Sequence, residues 1–428
     1  MKKRLLLVLG IGVIMTSVIA IATKPVHNLV EYDENTTLAL FDENGDKIAQ
    51  LPSKDSGYTL DTEKSSCTNG SISWNIESWS PVVTVNNEVN GRVSCNLYFK
   101  KATDYEICVA QYGSDSIQCS IIAQLDTTGA CPSVNEDGIV EVTAAESENA
   151  YLCSAPDDYG TSYYYRGTVE NNYVKFAGFY WRIIRINGDG SIRMIYDGTS
   201  AHANNDSSTD RQIGTSAYNS SSGDNAYVGY MYGTVGASTY EETHANIHDS
   251  TIKTYIDEWY RTNLLGTEQE QYIADALFCN DRTFATTNTG TGVGQSETIY
   301  RGYFDNSITK LRCSQQNDRF TVNDEVIGNG DLTYAIGLIT ADELVLAGGY
   351  DTENVNYYLY TRGIYWSMSP GGVSDNASIR VYFGDGYTSL HSNVSYTSRG
   401  VRPVINLKPD SLKLGDGTAN NPYTIENA

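Results

Sequence analysis

One long apolar block stands at the start of the chain, and short alternations of apolar and polar residues follow it. Met1-Lys2-Lys3-Arg4 leads into an uncharged, mostly apolar run from Leu5 to Thr23. That is close to the roughly 20 residues that cross a bilayer as a helix, with positive charge on the side that stays inside. Residues 1–28 therefore read as a transmembrane signal anchor, or as a signal peptide with Ala20 and Ala22 as its small cleavage-site residues. Apolar alternation recurs in residues 37–41, 82–85 and 93–99, separated by turn formers at Glu43-Asn44-Gly45-Asp46 and Asn90-Gly91. Several short strands at such spacing predict that residues 29–101 form an all-β sandwich, with Trp74 and Trp79 as core residues rather than ligand platforms.

Residues 102–157 carry four cysteines and read as a connector, after which the rhythm changes. Residues 179–186 and 191–196 are two β-rich runs around Asn187-Gly188-Asp189-Gly190, the clearest hairpin in the chain. A helix is expected next, with Ile252, Tyr255, Ile256, Trp259 and Leu264 near one face, Asp249 or Ser250 as cap and Gly266 as stop. A second helix is expected from the box Thr267-Glu268-Gln269-Glu270 to about Phe278, and a short third one after Thr340-Ala341-Asp342-Glu343. Residues 200–248 and 285–330 are polar and read as surface loops. Strands return from Tyr365 through residues 377–386 and close at 399–407. Residues 158–408 are thus one α+β domain, and 409–428 a C-terminal tail.

Composition narrows the function. The net charge is −23, and residues 1–28 contribute four basic and no acidic side chains, so the remainder is more acidic still. Such a body repels nucleic acid and anionic lipid. Eight cysteines in an exported chain predict disulfides. Cys67 and Cys95 would tie a middle segment to the last strand of the sandwich. Cys108, Cys119, Cys131 and Cys153 allow three pairings, of which nearest neighbours, 108 with 119 and 131 with 153, are favoured. Cys279 and Cys313 form either a structural disulfide, the favoured reading, or a redox pair. Tyrosine, 33 residues against 9 phenylalanines, fits either an adaptable contact surface or close packing in β-structure.

Catalytic and metal-binding patterns are thin. His244 and His248 stand four apart with Glu241, Glu242 and Asp249 nearby, but the zinc-protease glutamate is absent between them. Zinc in the connector would need CxxC spacing or a histidine, and neither occurs. Residues 42–46 imitate the start of a calcium loop whose later positions fail, so they read as a turn. There is no Gly-x-Ser-x-Gly elbow and no phosphate loop. No catalytic residue, metal or cofactor is assigned from the sequence.

The terminal run, from Tyr365-Trp366-Ser367 to Arg399-Gly400-Val401-Arg402-Pro403-Val404-Ile405-Asn406-Leu407, follows an early hairpin, helices and long loops. In this it resembles the bacterial C-type-lectin-like domains related to sulfatase-modifying factors and to variable receptor-binding proteins of retroelements. Residues 29–101 resemble the immunoglobulin-like spacers of bacterial surface proteins. The resemblance implies a mixed domain whose N- and C-terminal strands pair and whose irregular loops present a binding surface. Departures limit it: the calcium motifs Glu-Pro-Asn, Gln-Pro-Asp and Trp-Asn-Asp are absent, and no cysteine follows Cys313.

The fold expectation is therefore multidomain: an N-terminal membrane or signal helix, an all-β immunoglobulin-like sandwich and an α+β C-type-lectin-like head. Between Trp366 and Arg399, Tyr387, Ser389, His391, Asn393 and Tyr396 are the polar and amphipathic types that recognition loops use. They are the candidate ligand-binding residues, against the alternative of an ordinary polar hairpin loop. Arg399 and Arg402 are assigned to structure. The expected function is an extracytoplasmic, membrane-tethered or secreted protein that recognises a protein or glycan at a cell surface. A structural surface component and an exported enzyme of the modifying-factor type are the alternatives.

Overall fold

The computed structural model describes residues 36–85, 92–146, 148–302, 308–350, 355–382 and 390–426; for Thr36, residues 378–382 and Leu390 it describes the backbone alone. The anchor segment 1–28, the Asn90-Gly91 turn and residues 383–386 lie outside the described residues. The described chain is β-rich with few helices and divides into two compact units between Ala123 and Gln124. That division falls inside the cysteine-rich stretch. The helices Asp104–Tyr112 and Ile117–Ile122 go with the first unit, and Cys131 and Cys153 with the second.

The first unit contains β1 (Thr36–Phe41), β2 (Tyr58–Leu60), β3 (Ser66–Thr68), β4 (Gly70–Asn75), β5 (Ser80–Val85) and β6 (Val93–Lys101). β6 pairs in parallel with β1 and antiparallel with β2 and β3, while β4 and β5 form a separate hairpin. In β6 the residues Val93, Cys95, Leu97 and Phe99 are buried, and Ser94 and Asn96 are exposed. The two-residue period of a strand thus turns one face onto a core shared with Leu40, Leu60 and Val83. Trp74 meets Trp79 edge-on at 5.7 Å and Phe99 at 6.0 Å, so both tryptophans pack within the unit. At residues 42–46 the Asp42 carboxylate accepts from the N–H groups of Asn44 and Asp46, and Gly45 takes φ +89°; the segment is a turn.

The second unit begins with β7 (Ala150–Pro156), β8 (Thr161–Gly167), β9 (Tyr173–Phe176), β10 (Phe179–Ile186) and β11 (Ile192–Gly198). Short elements follow: β12 (Thr215–Ser216), β13 (Met231–Tyr232), β14 (His248–Asp249), β15 (Phe278–Cys279), β16 (Thr298–Ile299) and β17 (Arg319–Phe320). The last strands are β18 (Tyr365–Val373), β19 (Ala377–Tyr382), β20 (Leu390–Asn393), β21 (Arg399–Gly400) and β22 (Val404–Leu407). One sheet runs β22-β11-β10-β8-β7 with β9 on β10; another runs β12-β21-β18-β19-β20 with β16 on β18. The expected hairpin is β10–β11, closed by the bonds Asn187 N–H to Ser191 O and Gly190 N–H to Asn187 O. Trp181 is wholly buried in it, donating to the Phe176 carbonyl and meeting Tyr196 and Trp259 edge-on.

Antiparallel pairing of β22 with β11 brings residues 404–407 beside this hairpin. Residues beyond Lys408 continue the packing. Tyr423 bridges to Val174 of β9, and Leu412, Tyr423 and Ile425 are buried, so the segment read as a tail forms part of the unit.

Helix Thr251–Asn263 starts on Ser250, whose hydroxyl accepts from the Lys253 N–H, and Gly266 follows its end at φ +73°. The helix expected over residues 267–278 does not form. A 3₁₀ turn, Glu268–Tyr272, stands there, and Phe278–Cys279 is a strand. Both arms of the anticipated capping box are engaged elsewhere: the Thr267 hydroxyl donates to Leu264 O, and the Glu270 carboxylate accepts from the Gly266 N–H and the Tyr260 hydroxyl. Ala274 N–H then bonds Asn406 O, which draws the backbone toward β22. At Thr340 the box is complete and opens helix Ala341–Leu346.

Tyrosine serves the core. Tyr164, Tyr173, Tyr218, Tyr230, Tyr300, Tyr358 and Tyr365 are all buried. Several reach backbone carbonyls from there: Tyr173 bonds His202 O, Tyr230 bonds Ile336 O and Tyr365 bonds Leu359 O. A buried phenol with a partner keeps its large packing area without stranding a polar group.

Buried arginines tie the second unit together. Arg185 meets Asp157 at 2.8 Å and Glu343 at 2.9 Å, Arg193 meets Glu343 at 2.6 Å, and Arg301 holds both Asp281 and Asp342. Arg402 and Arg211 share Asp197. Desolvated charges of this kind persist only when paired and hydrogen-bonded. Cys67–Cys95, Cys108–Cys119, Cys131–Cys153 and Cys279–Cys313 are the disulfides, and none of the eight cysteines is free. Four disulfides mark a protein that matures outside the reducing cytoplasm.

Candidate functional site

The β18–β19 hairpin turns at residues 374–376, and two other segments come alongside it. Thr298 and Ile299 of β16 pair with Val373 and Gly372. On the far side β20 pairs with β19, placing Asn393 opposite Ser378 and His391 opposite Arg380. Between these segments opens a cleft of about 500 Å³, lined in part by Glu297, Asp375, Asn376, His391, Asn393 and Tyr396.

Local bonding fixes the lining. Asn393 Oδ1 accepts from the N–H and hydroxyl of Ser395, an Asx turn that presents Tyr396. Buried Val394 anchors that turn through its N–H to Ala377 O. Tyr396 is 50% exposed, with the Arg399 guanidinium 5.3 Å from its ring centroid. Arg399 is itself held by Ser392. Asn376 accepts from the Ser222 hydroxyl. Gly371 lies beneath His391: a Cβ there would overlap the imidazole, so only glycine lets the ring lie on β18.

The opposite wall, residues 289–299, has little regular structure and is fastened from behind. Asn225 donates to Gly294 O and Ser296 O, and Asn288 accepts from the Ile299 N–H. His244 Nε2 stands 3.0 Å from Gly292 O and 3.3 Å from the Tyr300 hydroxyl. Burial, aided by the Arg282 guanidinium, pulls this imidazole down to about 3, so it is neutral at physiological pH.

Of the five candidate residues, His391, Asn393 and Tyr396 line this one cleft; Tyr387 and Ser389 lie outside the described residues. Sequence reasoning did not single out Glu297, Asp375 or Asn376. Glu297 reaches the site through a strand of only two residues, which leaves no periodic signal.

The two histidines of the possible metal pair serve different ends. His244 is buried against Gly292, while His248 is exposed on β14 beside Tyr232. Among the described residues no three His, Cys, Asp or Glu side chains are placed to hold a metal. A cavity of about 20 Å³, room for about one water, is walled by Arg185, Arg193, Cys279, Arg301, Asp342 and Glu343. Its arginines and carboxylates are paired with one another, so their role is cohesion. No protein-family profile, characterised protein or solved structure matches the chain.

Proposed function

We propose that the chain is an exported binding protein, tethered to the membrane through residues 1–28, whose second unit recognises a protein or glycan at a cell surface through this cleft. In this reading the second unit is a C-type-lectin-like head. The first, with its hairpin packed on a sheet, is an immunoglobulin-like spacer. Four disulfides support the extracellular setting. The pairing of β22 with β11, which sets the last strand of the head against its β10–β11 hairpin, supports the head's assignment.

The observation that carries the proposal is the position of Tyr396. In a unit that buries most of its tyrosines, this one is half exposed on the rim of an open cleft, with amide and carboxylate groups beside it. A rigid aromatic face flanked by short polar groups gains contact area with little loss of side-chain freedom. Removal of Tyr396 should leave the fold alone and remove the contact.

The test is capture of glycans and cell-surface proteins by the exported chain and its Tyr396→Ala variant, with a melting curve on each. Loss of capture at unchanged melting temperature is the expected result. Capture by the variant equal to that of the parent would move the binding face elsewhere. Self-assembly of the parent with no ligand captured would favour a structural surface role instead.

A further inference from the structure

The wall of the cleft formed by residues 289–298 depends on a histidine that has no place for a second proton. His244 is 1% exposed, and Nε2 makes its bond to Gly292 O. The ring therefore carries its proton on Nε2. Nδ1 is buried and has no hydrogen-bond partner. Around it stand the rings of Tyr240 at 4.3 Å and Tyr300 at 6.0 Å.

The charged groups nearby offer no acceptor. Arg282 is engaged with Asp318, Asp281 with Arg301, and Asp224 with the N–H groups of Ala226 and Gly236. On the histidine's own helix Glu241 and Glu242 are exposed to solvent. A proton on Nδ1 would thus add an unpaired donor and an unpaired positive charge to a dry site beside a guanidinium. The wall's own regular pairing is confined to β16; besides the His244 bond it is held by Asn225 at Gly294 O and Ser296 O, and a state in which these ties give way would bring the ring to water.

We infer that acid unlatches the 289–298 wall of the cleft, with His244 as the latch. Extending the latch to ligand release at acidic pH rests on the binding reading above; the latch itself is a property of the unliganded chain. Burial and the Arg282 guanidinium hold the closed ring's proton affinity down to about 3, against 6.5 for a free imidazole, so a wall that frees the ring is favoured about tenfold by each pH unit between those two values.

Hydrogen exchange of the exported chain with disulfides intact, at pH 7.5 and 5.0 and corrected for intrinsic rates, tests this without a ligand. The opening constant of peptides spanning 289–298 should rise by at least tenfold at pH 5.0, while β10 and β11 stay protected. His244→Gln, whose amide can still donate to Gly292 O and does not ionise, should remove the response; His248→Gln should keep it. An unchanged wall in the parent overturns the inference, as does an equal response in β10 and β11 or an undiminished one in His244→Gln. Should His244→Gln fail to fold, the parent's contrast between wall and hairpin decides alone. A wall that opens in acid on a chain that captures nothing would sink the binding reading and leave the latch standing.

Discussion

Arg402 and Asp197 meet at 2.7 Å with neither side chain exposed, although 205 positions separate them in sequence. Arg402 also donates to the carbonyls of Tyr196 and Leu359 and lies 4.9 Å from the centroid of the Tyr365 ring. One guanidinium thereby fastens the segment leading into β22 to the β10–β11 hairpin and to β18.

Arg402→Ala should therefore be severe. Truncating one partner of a buried pair strands the remaining groups, at a cost of about 3–5 kcal/mol. Arg261→Ala is the control, because its pair with Glu258 is exposed on both sides and screened by water, so its loss should barely move the melt. Urea melts of both variants check the contrast; a small loss for Arg402→Ala would show that the link is dispensable.

Gly371 and His391 should behave as one unit. Gly371→Ala alone forces the imidazole off β18 and is expected to cost about 1–3 kcal/mol. In a His391→Ala background the same change should cost much less, because the obstructing ring is gone. A double-mutant cycle measures the coupling, and additive losses would mean that the ring and the strand are independent. His391 is thus a support of the cleft, and its removal should lower stability where removal of Tyr396 should not.

Glu343 sets an acid limit. Burial opposes its charge, but Arg193 and Arg185 hold its carboxyl down to about 2, below the ordinary 4.5. A depressed carboxylate contributes stability that is complete above the unfolded value and is lost as pH falls from about 4.5 toward 2. Chemical denaturation at pH 7, 4 and 2.5 should show this slope in the parent and a shallower one in Glu343→Gln, which is less stable at pH 7. Parallel curves would place the acid limit in other groups.

What the sequence revealed divides by the range of the interactions involved. The β10–β11 hairpin, the helix capped by Ser250 and the box at Thr340 are set by residues within a few positions of one another, and they stand where the pattern puts them. The box at Thr267 has the same local signature, yet Leu264, Gly266 and Tyr260 on the preceding side engage its groups, and distant Asn406 takes the Ala274 N–H and draws the backbone beyond the box to β22. Tyrosine content was ambiguous because its two uses differ only in whether distant parts of the chain close over the ring, as they do over Tyr164, Tyr218 and Tyr358. In the cleft, the segment from His391 to Tyr396 was visible as a run of polar and aromatic types. Its opposite wall was not, since β16 pairs over two residues with a strand more than 70 positions away.

The covalent links and the long-range order of the second unit belong to different stages of the chain's life. Each disulfide joins cysteines 11 to 34 positions apart and can close on a short stretch soon after it emerges from the membrane. The sheet has to wait. Until residues 404–407 arrive, β11 has an open outer edge, and until Arg402 arrives the buried pair of Asp197 and Arg211 lacks its third partner. A chain stalled late in export would therefore be fully oxidised yet unfinished, displaying a sticky strand to its neighbours. Oxidation state is consequently a poor gauge of maturity for this protein, and protection of the β11 edge is the better one.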